Sequence, residues 1–327
     1  MSMIFKLEIN FDDISSDWGR LYELTPEVSP FLEPEAFKIA LKYFYPYYLR
    51  YRCRPKFGVI RNEKGRAVCI LPLICYHDGK MQLFGFANGF NESGMLFENE
   101  DALKRTIELL KVECPGLEFL KIDERNPVIG LFPPPPPPNL LSKTSNAAIY
   151  FADDFNAYFK SLSSSVRQNI RTAYNRMAKD GHTFCLDVYR PKINKLPTRE
   201  VIDLYCKRHG DRYGVHTSML KKWFLKHQSF ATKIYELAPG AITCLLRIDG
   251  KPAAFLSGLG NDKRLIVPRL SINNEFRRYS PGMVLIAEAI KYLIADTTIR
   301  VLDLSQGDEQ YKYQLGAVTH YSYVYTI

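Results

Sequence analysis

Apolar residues recur at helical spacing at Met283, Ile286, Ala287, Ile290, Leu293 and Ile294, which predicts an α-helix. Val284, Leu285, Ala289 and Tyr292 make its opposite side mostly apolar too, so the helix is expected to be buried on both faces. A strand-like run from Leu265 leads to a basic turn, Arg277-Arg278-Tyr279-Ser280-Pro281-Gly282, directly before the helix. Proline is tolerated in a first helical turn, where its missing N–H would have no partner anyway. Glycine lets a backbone approach closely. Free N–H groups and partial positive charge at a helix start, with two arginines beside it, suit a phosphorylated ligand. A short strand over 299–304 and a polar turn, Gly307-Asp308-Glu309-Gln310-Tyr311-Lys312, follow.

The remaining pattern falls into two similar halves. In the first, strands are expected at 4–11, 56–61, 67–76, 81–86 and 117–122, with helices at 34–45 and 101–113 and a glycine-containing loop at 90–94. Residues 1–20 otherwise read as a polar turn. In the second half, strands are expected at 147–151, 182–189, 241–248 and 253–258, and helices at 155–162, 166–181, 198–209 and 218–226. Helices first, then a strand meander, then a helix and a strand in each half suggest an internal duplication. Between the halves stand six prolines at 133–138, expected as a stiff polyproline spacer. This gives a first domain over 1–130, a linker over 131–146 and a second domain over 147–327.

Two polar patterns remain. Arg167, Arg171 and Asn175 form a stripe on one helix, either a solvated face or a contact for phosphate or an acidic substrate. Residues 208–217 read as a loop dense in side chains that bind or move protons. Of these, His209, Arg212, Tyr213 and His216 are candidates for holding a second substrate.

Composition adds bounds. The chain has 327 residues, 46% hydrophobic and 24% charged, ordinary for a globular protein with two domains. A net charge of +9 favours anionic partners. The seven cysteines contain no Cys-x-x-Cys pair and several lie in apolar strands. They read as reduced thiols in a cytoplasmic protein, with no metal site. No signal peptide or membrane-spanning run is visible.

The run Arg278-Tyr279-Ser280-Pro281-Gly282, the apolar helix, Asp303-Leu304, Gly307-Asp308-Glu309 and Tyr311-Lys312 resemble the GNAT-fold acyltransferases of the cellulose-biosynthesis (CelD-like) branch. Ser29-Pro30-Phe31, Ile70-Leu71-Pro72-Leu73 and the basic helix at 166–181 resemble that branch too. The resemblance implies an α/β (α+β) fold of tandem GNAT-like domains, each a mixed, mostly antiparallel sheet flanked by helices. It implies an N-acyltransferase that moves an acyl group from acetyl-CoA or another acyl-CoA to an amine acceptor, a small molecule or glycan such as a sugar or cell-envelope precursor. Arg277, Arg278, Tyr279, Ser280, Pro281, Gly282, Met283 and Val284 would hold the CoA. N–H groups near 271–273 would polarise the thioester carbonyl. Tyr311 would meet the leaving thiolate as an acid, with Lys312 as a nearby positive charge, and Asp308 or Glu309 would take the amine proton. Serine at 280 and proline at 281 depart from the usual GNAT phosphate loop. The related Fem-type aminoacyltransferases take their acyl group from aminoacyl-tRNA. A catalytically degenerate binding module that recognises nucleic acid or glycan is the other alternative.

Overall fold

The computed structural model describes residues 3–85, 92–132, 140–213, 217–227 and 229–327, with backbone alone at 45–47, 209 and 211–213. The chain divides into two compact units, Met1–Ser145 with His320–Ile327, and Asn146–Thr319.

In the first unit β1 (Met3–Glu8) is followed by α1 (Ser15–Leu24), α2 (Pro34–Tyr43) and α3 (Tyr45–Tyr51). α1 occupies residues that the pattern read as a polar turn. It buries Trp18 and Leu21 alone, too few positions to set a period. The Trp18 indole donates to the Leu32 carbonyl at 2.8 Å and packs on Phe11, Phe37 and Phe57. β2 (Cys53–Asn62), β3 (Ala67–Tyr76) and β4 (Met81–Leu83) form an antiparallel meander. Its first turn is closed by Asn62, whose side-chain oxygen accepts from the Lys64 and Arg66 N–H groups, with Gly65 at φ 75°. β4 ends at Leu83, short of the expected 86. β5 (Leu96–Phe97) pairs with β3. α4 (Glu100–Glu113) then leads into β6 (Glu118–Asp123), which lies parallel to β4. Residues 86–91, including Phe90 and Asn91 of the expected loop, and the proline run at 133–138 lie outside the described residues.

The second unit takes in the end of β7 (Leu140–Tyr150), then α5 (Phe155–Ser161), α6 (Ser164–Lys179), β8 (Phe184–Tyr189), α7 (Thr198–Tyr213), α8 (Met219–His227) and α9 (Phe230–Leu237). β9 (Ala241–Ile248), β10 (Lys251–Gly260), β11 (Arg264–Ile272), α10 (Pro281–Asp296), β12 (Val301–Gln306) and α11 (Gln310–Gln314) complete it. β7 begins inside the stretch read as linker, and α7 runs through residues 209–213, read as loop. α9 was not anticipated. Strand order is β7-β12-β11-β10-β9-β8, antiparallel except for β11 against β12. α10 is buried on both faces, as its pattern requires, and packs on β9, β10 and α6.

β13 (Ala317–Thr326) ends the chain. From His320 it belongs to the first unit, where Ser322–Thr326 pair antiparallel with β6. Each unit thus contains an antiparallel strand pair, a helix, and a strand returning parallel to the second of the pair. The fold is mixed α/β with mostly antiparallel sheets flanked by helices. Among the described residues no helix is long and apolar enough to cross a membrane.

Candidate functional site

The site is built where β11 parts from its neighbour. β11 pairs with β12 only over Arg264–Ile266, while its pairing with β10 continues to Ile272. Past Ile266 the two strands diverge and leave one edge of β11 open. Asn273 ends the strand and caps a 3₁₀ turn over Asn274–Tyr279, its side-chain oxygen accepting from the Glu275 N–H at 3.2 Å. That turn delivers the chain to the start of α10 beside the open edge. The approach is close: a Cβ at Gly282 would meet the Ile272 side chain at 3.3 Å.

A cavity of about 910 Å³ occupies this place. Leu270, Ser271 and Ile272 form its strand wall, and Ser280, Pro281, Gly282 and Met283 its helix wall. Arg277 stands at the basic turn, Glu309 and Tyr311 come from the segment after β12, and Tyr205 and Arg208 from α7. Most of the expected CoA-holding residues are therefore together with Tyr311.

Three are not. Val284 is fully buried in the core. Tyr279 is buried, and its hydroxyl donates to Asp180 at 2.9 Å. Arg278 forms an ion pair with the same carboxylate at 3.1 Å. Asp180 ends α6, so these two side chains pin the basic turn to that helix. Arg277 is the arginine that reaches the cavity.

The helix start is also less generous than its sequence suggests. Ser280 adopts a left-handed conformation, φ 47° and ψ 51°, the geometry that glycine accepts without steric cost. Its carbonyl accepts from the Met283 and Val284 N–H groups at 3.0 and 3.2 Å. Pro281 has no N–H. Of the first four helical positions, Gly282 alone keeps a donor outside these bonds.

Lys312 does not face the cavity. Its ammonium is buried and donates to the carbonyls of Ser305, Gln306 and Gly307 at 3.3, 2.9 and 3.2 Å, and it pairs with Glu309 at 3.1 Å. A buried ammonium needs all three donors met, and this turn meets them. Asp308 is exposed and is not part of the cavity wall. Of the two acidic candidates it is Glu309 that lines it.

Burial, with the Glu309 carboxylate adding to it and the Arg208 charge opposing it, pushes the Tyr311 phenol up to about 12. Tyr311 is thus a hydrogen-bond donor at neutral pH. Arg208 and Tyr205, three apart on α7, were not singled out from the sequence. Their i, i+3 spacing on a helix beside the proton-active stretch was the available signal. Of the expected acceptor residues, the side chains of His209, Arg212 and Tyr213, and His216 as a whole, lie outside the described residues. The arginine stripe on α6 has structural work: Arg167 donates to the Lys160 and Leu162 carbonyls at the end of α5, and Arg171 lies over the Phe159 ring.

Residues 164–313 match the family model of the acetyltransferase (GNAT) domain. The match spans every wall of the cavity. Solved structures extend the likeness over the whole chain. FemX covers 100% of this chain and 98% of its own at 9% identity, TM-score 0.65. A tandem GNAT protein from the clavulanic acid biosynthesis pathway covers 100% and 98% at 14% identity, TM-score 0.51. The C-terminal domain of a putative lysylphosphatidylglycerol synthetase from Agrobacterium fabrum covers 95% and 92% at 11% identity, TM-score 0.56. These likenesses carry the fold, a tandem GNAT arrangement. No curated protein matches the chain.

Proposed function

We propose that the chain is an N-acyltransferase that moves an acyl group from acyl-CoA, acetyl-CoA in the simplest case, to an amine acceptor, in the manner of the CelD-like branch. One observation carries this reading: a single cavity joins a basic helix start, an open strand edge and a protonated phenol. Arg277 and the Gly282 N–H would hold the pyrophosphate. Open N–H groups of β11 would polarise the thioester carbonyl. The amine nitrogen bonds to the carbonyl carbon, the C–S bond breaks, and the electron pair leaves on sulfur. The amine proton passes to Glu309, directly or through water. Tyr311 donates a hydrogen bond to the departing sulfur. Full proton transfer from a phenol near 12 to a thiolate of about 8.5 would be uphill by about 5 kcal/mol, so stabilisation by the hydrogen bond is the role that fits.

A second reading has its own support. So few donors at the start of α10 suit a donor substrate without a pyrophosphate, such as the aminoacyl ester of a tRNA used by Fem-type transferases. The acceptor would be a small molecule or glycan, and the setting the cytoplasm. Thermal shift with CoA and acetyl-CoA, beside a binding assay with aminoacyl-tRNA, separates the readings. Stabilisation by CoA supports acyl-CoA transfer. Binding of aminoacyl-tRNA alone selects the Fem-type route, and response to neither leaves a binding module.

A further inference from the structure

Helix α8 (Met219–His227) is turned the wrong way for a helix that packs on a globular core. Met219, Leu220, Trp223 and Phe224 are 88, 77, 55 and 40% exposed. At about 100° per residue they share one arc of roughly 140°, and that arc looks outward. The side toward the body is carried by Lys222, which pairs with Asp203 of α7 at 2.8 Å, and by Leu225, which is half-buried. A core-packed helix places apolar residues inward and charges outward; here four large apolar residues look outward instead. The helix holds three lysines and no carboxylate. Lys222 and Lys226 fall on one flank of the apolar arc and Lys221 on the other.

We propose that α8 is an interfacial anchor that docks this unit on an anionic bilayer surface. A tryptophan, a phenylalanine and two long aliphatic side chains would enter the headgroup boundary, and Lys221 and Lys226 on its two flanks would meet lipid phosphates. Lysine stems reach along an apolar surface while their ammonium groups stay in water. The charge decides among occupants: a second copy of this helix would set Lys221 and Lys226 against the same two lysines, and an anionic membrane brings the opposite sign. Docking would set α7, with Tyr205 and Arg208 of the cavity wall, immediately behind the membrane-facing helix.

The chain has two tryptophans. Trp18 is fully buried, so an emission change on binding reports Trp223. The test mixes the full chain with vesicles of phosphatidylcholine alone or with one-third phosphatidylglycerol. The expected result is a blue shift of Trp223 emission and co-sedimentation with the anionic vesicles, reversed by high salt. Leu220→Glu with Phe224→Glu keeps the reporter and changes only exposed positions; it should lower partitioning by more than about tenfold with an unchanged melting temperature. Absence of any shift with anionic vesicles overturns the proposal. Binding that survives the double variant, or a concentration-dependent dimer that shields Trp223 without lipid, overturns it equally.

Discussion

The two units start their central helices in opposite ways. At the start of α4 the Asn99 side chain accepts from the Ala102 N–H at 2.9 Å, and Glu100 and Asp101 occupy the first turn. Cap and carboxylates satisfy the free donors and offset the partial positive charge. At the start of α10 no side chain caps, no carboxylate stands in the first turn, and Arg277 adds positive charge. Topology is repeated; the electrostatics are not. A duplicated scaffold can therefore keep two equivalent helix starts and leave one fit for an anion, because the choice rests on a few residues that do not hold the fold together.

The largest effect is expected at Tyr311. Tyr311→Phe should lower turnover roughly 10²- to 10³-fold, the scale for losing one positioned hydrogen-bond donor, in an acetyl-CoA assay with an amine acceptor. KM for the donor should hold, and an unaltered rate would remove Tyr311 from the chemistry. The phenol also leaves a pH signature. Its folded value is raised, so its contribution to stability is complete below about pH 10 and is lost as pH rises through about 12. The wild-type melting temperature should fall relative to that of the variant, which carries no phenol, across that window.

Giving α10 the chemistry of α4 comes next. Met283→Glu puts a carboxylate in the first turn and should weaken CoA binding about tenfold or more by like-charge repulsion, read by calorimetry. Equal affinity would mean that the anion sits elsewhere. Arg277→Ala should cost about fivefold in CoA affinity, an exposed charge-assisted contact discounted for solvent. Arg278→Ala should cost less than about twofold, since its partner is Asp180. The reverse order would mean that Arg278 leaves Asp180 to hold the anion.

The smallest effects concern stability. Asn99→Ala should destabilise the first unit by about 1 kcal/mol and leave CoA affinity alone, as denaturant melts and titration would show. Ser280→Gly should stabilise by up to about 1 kcal/mol by relieving a left-handed serine. A loss of stability there would mean that the serine hydroxyl is needed.

Much of this was legible in the residues. Strand periodicity and the α10 pattern follow from local alternation, and the GNAT resemblance followed from residues 278–312. α1 escaped because Trp18 and Leu21 alone of its ten residues are buried. The end of α7 escaped because His209, Gly210 and Asp211 resemble a loop. Within the site, the sequence placed Arg277, Gly282 and Tyr311 near one another and gave Arg278 and Lys312 equal standing with them.

By itself, then, the sequence determined what depends on neighbours along the chain: the helices and strands with a strong apolar period, the basic turn before an apolar helix, and the doubled order of elements. Tertiary structure decided which charges are free. Arg278 faces Asp180, 98 residues away, and Lys312 turns into carbonyls that only the folded turn assembles. Side-chain direction is set by the partners that packing brings within about 3 Å. No local pattern encodes those partners, so two adjacent arginines of one turn can end one at a cavity wall and the other in an ion pair away from it.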